Sequence, residues 1–293
     1  MQAKRDTNTV RPRRRTGGYT VGYPLHEYGE ELAYTAKAFA YMNNEEFAAH
    51  IEGILSLAQN RRRHQILRRI LNNTNFTFDD ERHGDVTVLP LANGDSVTYP
   101  PVDGSDSEAT ENHYLGSSYL ASAISDTNNP YETLYEELVE HTGDVTGDMP
   151  VGYLINPAEV PETKALTNFK SIASIGVNYG DDTDLALLPP ATMPGAPIGY
   201  IEGAGWVAVW RWMPAGYIVG RNLVGPAPLK MRIHPSVTGL PRGLTLVGNI
   251  EDYPNTFNDW ELDFGLGVGN RLGAAVMDLS NADSDYDIPA AYT

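Results

Sequence analysis

Side chains capable of chemistry are plentiful in this chain but poorly grouped. Its seven histidines are His26, His50, His64, His83, His113, His141 and His234, and no two stand four apart as a helical metal-binding pair requires. Cysteine is absent, which excludes a disulfide scaffold, a thiolate zinc site, an iron–sulfur cluster and a cysteine nucleophile. Neither a Gly-x-Ser-x-Gly elbow nor a Walker loop occurs. The run Gly265-Leu266-Gly267-Val268-Gly269 has the look of a dinucleotide loop. It lies inside an alternating strand pattern, lacks the third glycine at its proper spacing and leaves too little chain for a nucleotide fold. Asp283, Asp285 and Asp287 alternate near the end, without the glycine and glutamate of an EF-hand loop. Asp181, Asp182 and Asp184 read as a solvated loop. No catalytic residue, metal ligand set or cofactor is expected from these patterns.

The elements that would have to position any site are clearer. The chain has 293 residues, 41% of them hydrophobic and 20% charged, so it is globular and long enough to bury a core. With 28 glycines and 20 prolines, a turn-rich body with many strands is expected. Residues 1–72 carry 12 Lys and Arg against 7 Asp and Glu, a net of +5, whereas the rest carries 9 against 31, a net of −22. An acidic body repels nucleic acid, while a basic front can meet a polyanion or an acidic neighbour. The best apolar stretch, Trp206 to Met213, is interrupted by Arg211, and a spanning helix needs roughly 20 apolar residues. No apolar block follows the basic N-terminus, so a secretory signal and a membrane partner are not expected.

Residues 1–42 read as an arm with little apolar periodicity of its own, carrying Arg11, Arg13, Arg14 and Arg15. Such a segment does not fold alone, and a neighbouring subunit is its expected support. Residues 43–72 read as a helix, with Asn43 or Asn44 as cap, and Phe47, Ile51, Ile54, Leu55 and Ala58 at helical spacing. Arg61, Arg62, Arg63, Arg68 and Arg69 complement the dipole at its end or form a strip facing a polyanion. Residues 84–102 read as a projecting β-hairpin turning at Asn93-Gly94, because both residue types accept positive φ. Asn129 and Pro130 open a second helix, ended by Gly143. A strand at Val151–Ile155 leads through Asn156-Pro157 into a helix over Ala158–Phe169, and strands follow near 172–177, 206–212 and 217–219. Trp260, Leu262, Phe264, Leu266 and Val268 alternate as a long half-buried strand, with Ala274 to Leu279 as its hairpin partner.

This order of parts resembles that of the tailed-phage major capsid proteins, the Hong Kong 97-like fold. The resemblance covers roughly residues 40–280 and rests on order, not on a signature string. It implies an α+β chain divided as follows: an N-terminal arm (1–42), an N-terminal helix and connection (43–83), an E-loop hairpin (84–102), a peripheral domain with a spine helix (103–150), a mainly axial domain (151–250), and returning peripheral strands with a tail (251–293). It implies that Val88, Asn93, Gly94, Val97 and Tyr99 on the E-loop meet a neighbouring subunit. Arg11, Arg13, Arg14 and Arg15 would contact a neighbour or DNA. The self-crosslinking chemistry of one family member needs an E-loop lysine. The lysines here are Lys4, Lys37, Lys164, Lys170 and Lys230, so that chemistry is not implied.

The function the resemblance implies is non-enzymatic. Many copies, as pentamers and hexamers, would close an icosahedral shell around double-stranded DNA, with portal, scaffold or decoration proteins as further partners. The location would be the virion, assembled in the bacterial host cytoplasm. An encapsulin-like compartment enclosing cargo enzymes shares the fold and also starts with a helix before the E-loop. The 17 tyrosines and the acidity would also suit a secreted carbohydrate-binding protein or hydrolase, against which the missing signal sequence argues.

Overall fold

The computed structural model describes residues 21–80, 84–102, 105–117, 124–141, 151–172, 193–236, 239–240, 242–279 and 285–293. Arg11, Arg13, Arg14, Arg15, the acidic loop at Asp181, Asp182 and Asp184, Gly143, Asp283 and the strand expected near 172–177 (but for residue 172) lie outside these residues. In chain order the elements are β1 (His26–Thr35), α1 (Ala36–Tyr41), α2 (Asn44–Leu71), β2 (Phe76–Asp80), β3 (Gly84–Val88), β4 (Asn93–Tyr99), β5 (Ala109–Asn112) and β6 (Tyr114–Gly116). They continue with α3 (Pro130–Val139), β7 (Val151–Ile155), α4 (Val160–Ala165), β8 (Phe169–Ser171), β9 (Ala196–Ile201) and β10 (Gly205–Val209). The last are β11 (Tyr217–Asn222), β12 (Leu229–Arg232), β13 (Gly243–Asp252), β14 (Asn255–Val268) and β15 (Ala274–Asp278).

The central layer is a seven-stranded mixed sheet in the order β6-β15-β11-β7-β10-β9-β8. Strand alternation sorts its side chains onto two faces. Val151, Tyr153, Ile155, Val207, Ile218, Ala275 and Met277 join Tyr131, Leu134 and Leu138 of α3 in one core. Leu154, Trp206, Ala208, Tyr217, Val219, Ala274 and Val276 join Leu67, Ile70 and Leu71 of α2 in the other. Every residue of β7 and β15 is buried, as strands covered on both faces must be.

Helix α2 is fixed at its start by a capping box. Asn43 Oδ1 accepts from Glu46 N at 2.8 Å and Glu46 Oε2 accepts from Asn43 N at 3.0 Å. Helix α3 starts as the sequence predicts, with Asn129 Oδ1 accepting from Tyr131 N at 3.1 Å and Pro130 in its first turn.

A second sheet is centred on β14, flanked by β1 on one side and by β13 and β12 on the other. This corrects the expected arm: residues 26–35 pair with the chain's own β14, from His26 against Phe264 to Thr35 against Asn255. Tyr28, Leu32 and Tyr34 supply the period of two that this strand needs. The strand expected to be half-buried is buried throughout its second half, Leu262 to Val268. Leu262, Phe264 and Leu266 pack under Ala58 of α2. The opposite face is covered by the incoming chain: a Cβ on Gly265 would lie 2.3 Å from the Pro24 carbonyl oxygen, and one on Gly267 would lie 2.5 Å from the Tyr23 ring.

Three further expectations are corrected. No hairpin turns at Asn93-Gly94. Instead β3 pairs with β2, and β4 pairs with β5. Gly94 does take a φ of +72°, but Leu89, Leu91 and Ala92 ahead of it are drawn into the core and the chain runs on as β4. Strand β15 pairs with β11 and β6, not with β14, so residues 269–273 carry the chain from one sheet to the other. The helix expected over 158–169 is a 3-10 turn at Pro157–Glu159 followed by α4, which ends at Ala165.

Candidate assembly surface

The β14 sheet and α2 leave large apolar side chains on the outside. Tyr253, at the turn between β13 and β14, is 90% exposed, and Ile250 beside it 55%. Tyr41 on α1 is 83% exposed, and Leu55 and Leu57 face outward from α2. Helix α1 is held onto this ridge by aromatic contacts. Phe39 stands edge-on to Phe47 with centroids 6.1 Å apart, and Tyr34 packs against both. With 14 residues, β14 spans about 45 Å. The same ladder carries Glu27 and Glu31 on β1 and Asp259 and Glu261 on β14 on one face, with Glu30 on the other.

The arginines of α2 are largely engaged by their own subunit. Arg61 lies over Tyr28, with its guanidinium carbon 4.4 Å from the ring centroid, Arg69 over Phe76 at 4.4 Å, and Arg63 over Trp212 at 5.2 Å. Arg61 and Arg68 are the two that remain exposed. Burial pulls the Arg69 pKa down to about 10, helped by Arg68. Packing against the subunit's own rings therefore explains most of this strip.

The loop expected to be a hairpin tip is an internal clasp. Arg271, fully buried, donates from Nε to the Pro90 carbonyl at 2.9 Å and from Nη2 to the Leu91 carbonyl at 3.1 Å and to Asn93 Oδ1 at 2.8 Å. Its Nη1 donates to Asp95 Oδ1 at 3.1 Å. Asn93 Nδ2 donates to the Asn73 carbonyl at 2.7 Å. Of the five side chains expected to meet a neighbour, Val88 and Tyr99 are turned inward, at 2% and 4% exposure, because both face the subunit's own core. Asn93 is bound in the clasp, Val97 is half-buried and Gly94 is exposed. Strands β2 and β3 project more freely. Their base is fixed by Val88, by Arg69 over Phe76 and by Gly22 N donating to the Thr87 carbonyl at 2.9 Å, while Thr77, Asp79, Gly84 and Asp85 are exposed.

Sequence spacing gives no sign of the ligating side chains that chain folding brings together among the described residues. His113, between β5 and β6, lies against Glu137 of α3. Glu140 and His141, just beyond α3, lie against Glu111 of β5. The residues come from two stretches about 30 positions apart, one in a sheet edge and one at a helix end, so no linear pattern reveals them.

No family model and no curated protein matches the sequence. Among solved structures, a chain from Mycobacterium phage Patience matches with a TM-score of 0.73 at 24% identity, covering 99% of this chain and 80% of that one. The capsid of Myoviridae phage XM1 matches at 0.48 with 12% identity, covering 95% and 81%. The holo-SrpI encapsulin complex from Synechococcus elongatus PCC 7942 matches at 0.45 with 13% identity, covering 90% and 76%. The last two scores are too low to carry an argument. The first match spans nearly the whole chain, so this mixed helix-and-strand architecture is the fold of that phage chain. Among the described residues, no helix is long and apolar enough to cross a membrane.

Proposed function

We propose that this chain is the major capsid protein of a tailed double-stranded DNA phage, a structural rather than catalytic subunit. Many copies close into an icosahedral shell of pentamers and hexamers around the genome. The observation that carries this reading is the joining of a near-whole-chain match to a phage protein with the large apolar side chains that the subunit leaves exposed around the β13–β14 turn, α1 and α2. A patch of this kind calls for a partner, and a second copy supplies one. In this reading β2–β3 takes the reaching role assigned from sequence to residues 84–102, and α3 is part of the spine helix. The basic residues Arg11, Arg13, Arg14 and Arg15 meet the acidic ladder of the next subunit. Packaged DNA lies inside, and portal, scaffold and decoration proteins are further partners. Assembly takes place in the bacterial host cytoplasm and the product is the virion.

The test is electron microscopy and light scattering of the purified protein, followed by analysis of what nuclease-treated particles enclose. Closed shells, with protected DNA when isolated from a producing host, are the expected result. A stable 32.1 kDa monomer at every concentration overturns the reading. Shells that hold a protein cargo and no DNA turn it toward an encapsulin-like compartment.

A further inference from the structure

The His–Glu group beside α3 has a geometry that ordinary packing leaves unexplained. His113 is fully buried, and its Nδ1 lies 2.8 Å from the Ala274 carbonyl oxygen. A carbonyl only accepts, so Nδ1 carries the proton and donates. Burial keeps the ring neutral by pulling its pKa down to about 4. The Nε2 lone pair then points at Glu137 Oε1, 3.9 Å away, and Nε2 has no hydrogen-bond partner. His141 repeats the arrangement. Its Nδ1 donates to the Pro100 carbonyl at 2.8 Å, and its unpartnered Nε2 faces Glu140 Oε1 at 3.4 Å and Glu111 Oε1 at 3.6 Å. Glu140 Oε1 is itself buried without a partner.

Acceptors thus face acceptors in two overlapping groups that share Glu140. The ligating atoms of His113, Glu140 and His141 lie within 4.8 Å of one another, as do those of Glu111, Glu137 and Glu140. Among the described residues no Lys or Arg forms an ion pair with these three carboxylates. A cation between the facing acceptors would satisfy them together. Two ligands on a tetrahedral ion with bonds of about 2.0–2.1 Å stand about 3.3–3.4 Å apart; His141 Nε2 and Glu140 Oε1 already stand 3.4 Å apart, and His113, grouped with both within 4.8 Å, closes toward them. The histidines also have the support that metal-ligating histidines need, each with its far nitrogen held by a main-chain carbonyl.

We propose that His113, His141 and Glu140 bind one divalent transition-metal ion of the zinc class, with Glu137 and Glu111 as the carboxylates beside it. Two imidazoles and carboxylates suit such an ion, whereas magnesium and calcium prefer oxygen donors alone. The ion would staple the β5–β6 junction to the end of α3, and through Pro100 to the end of β4. It would thereby pin the base of the β4–β5 ladder to the helix. This assignment does not depend on what the shell encloses, or on the chain forming a shell at all.

The test uses the full chain stripped with a chelator and titrated with zinc, with magnesium and calcium as comparisons. The expected result is one zinc per chain, a raised melting temperature, and little response to the other two ions. Cobalt in place of zinc should give the visible absorption of a four-coordinate nitrogen and oxygen site. Glu140→Gln and His141→Gln lie at the rim of the core and should fold. Each should weaken zinc binding at least about tenfold while the metal-free melting temperature stays close to that of the parent. No stoichiometric zinc uptake by the folded parent overturns the proposal, and so does equal uptake by both variants.

Discussion

Arg271 grips Asp95 with two prongs, Nη1 to Oδ1 at 3.1 Å and Nη2 to Oδ2 at 2.9 Å, across 176 residues of chain. Arg271 sits in the turn that leads from β14 to β15, and Asp95 near the start of strand β4. The pair therefore ties the crossing between the two sheets to the segment that feeds the β4–β5 ladder. Nε donates to the Pro90 carbonyl and Nη2 to the Leu91 carbonyl and Asn93 Oδ1, so the buried charge is held by hydrogen bonds as well as by the carboxylate.

Arg271→Ala should be among the most damaging single changes in the subunit. It strands two main-chain carbonyls, Asn93 and the Asp95 carboxylate together, and breaking a buried pair from one side costs about 3–5 kcal/mol. Arg271→Lys should recover only a small part, because an ammonium cannot reproduce the planar fork. Urea unfolding of the free subunit measures both. A loss near 1 kcal/mol, the size of an exposed pair, would show that the clasp is incidental.

The glycines of β14 admit the chain that crosses them. Gly265→Val should push Pro24 away, since even a Cβ would lie 2.3 Å from its carbonyl oxygen. The expected result is faster proteolysis near residues 21–25, with the seven-stranded sheet still folded by circular dichroism. Unchanged proteolysis would mean that the crossing is not held by this contact.

How much of this was legible beforehand follows from the range of the forces involved. Asn43 and Asn129 announce their helices because a cap is a local bond, completed within three residues. Alternation from Trp260 to Val268 marked a strand for the same reason. Asn93-Gly94 misled because the turn preference of two residues competes with the burial of Leu91 and Ala92, and with Arg271 arriving from far along the chain. The long-range choices, such as β15 pairing with β11 and β6 and β1 with β14, leave no mark in local pattern. Neither does the meeting of His113 with Glu137. The order of elements sufficed for the fold, whereas the contacts that close it did not follow from it.

Glu159 gives a pH dependence with a definite sign. The residue is buried, its Oε1 accepts from Gly216 N at 2.7 Å and its Oε2 has no partner. Burial raises its pKa above the usual 4.5, against the lowering effect of the Gly216 bond. A raised carboxyl pKa stabilises the fold fully below the unfolded value and ceases to do so as pH rises through the folded value. Glu159→Gln keeps the acceptor for Gly216 and removes the titration. Its stability relative to the parent should match at about pH 4 and rise above that. Unfolding free energies across that range check this, and a relative stability that falls with pH would contradict it.

If the outer ridge joins copies, trimming it should affect assembly and not folding. Tyr253→Ser with Ile250→Ser removes two of the most exposed apolar side chains of the β13–β14 end. The melting temperature of the free subunit should change by only a few degrees, while the concentration needed for particles rises severalfold. Assembly at the parent's concentration would place the interface elsewhere.

The arginines near the N-terminus offer the sharpest division between two partners. Arg11, Arg13, Arg14 and Arg15 belong to a front of +5, and everything after residue 72 sums to −22. Phosphate contacts would make their binding steeply salt-dependent, since each neutralised phosphate releases counterions. Carboxylates of a neighbour instead invite two-pronged pairing, and the ladder supplies them at Glu27, Glu30, Glu31, Asp259 and Glu261. Contact with the neighbour is the expected arrangement. Replacing the four arginines with glutamine should then weaken empty and filled shells alike, as read by the denaturant concentration at which particles fall apart. Empty shells of unchanged stability that fail only to retain the genome would assign these arginines to DNA instead.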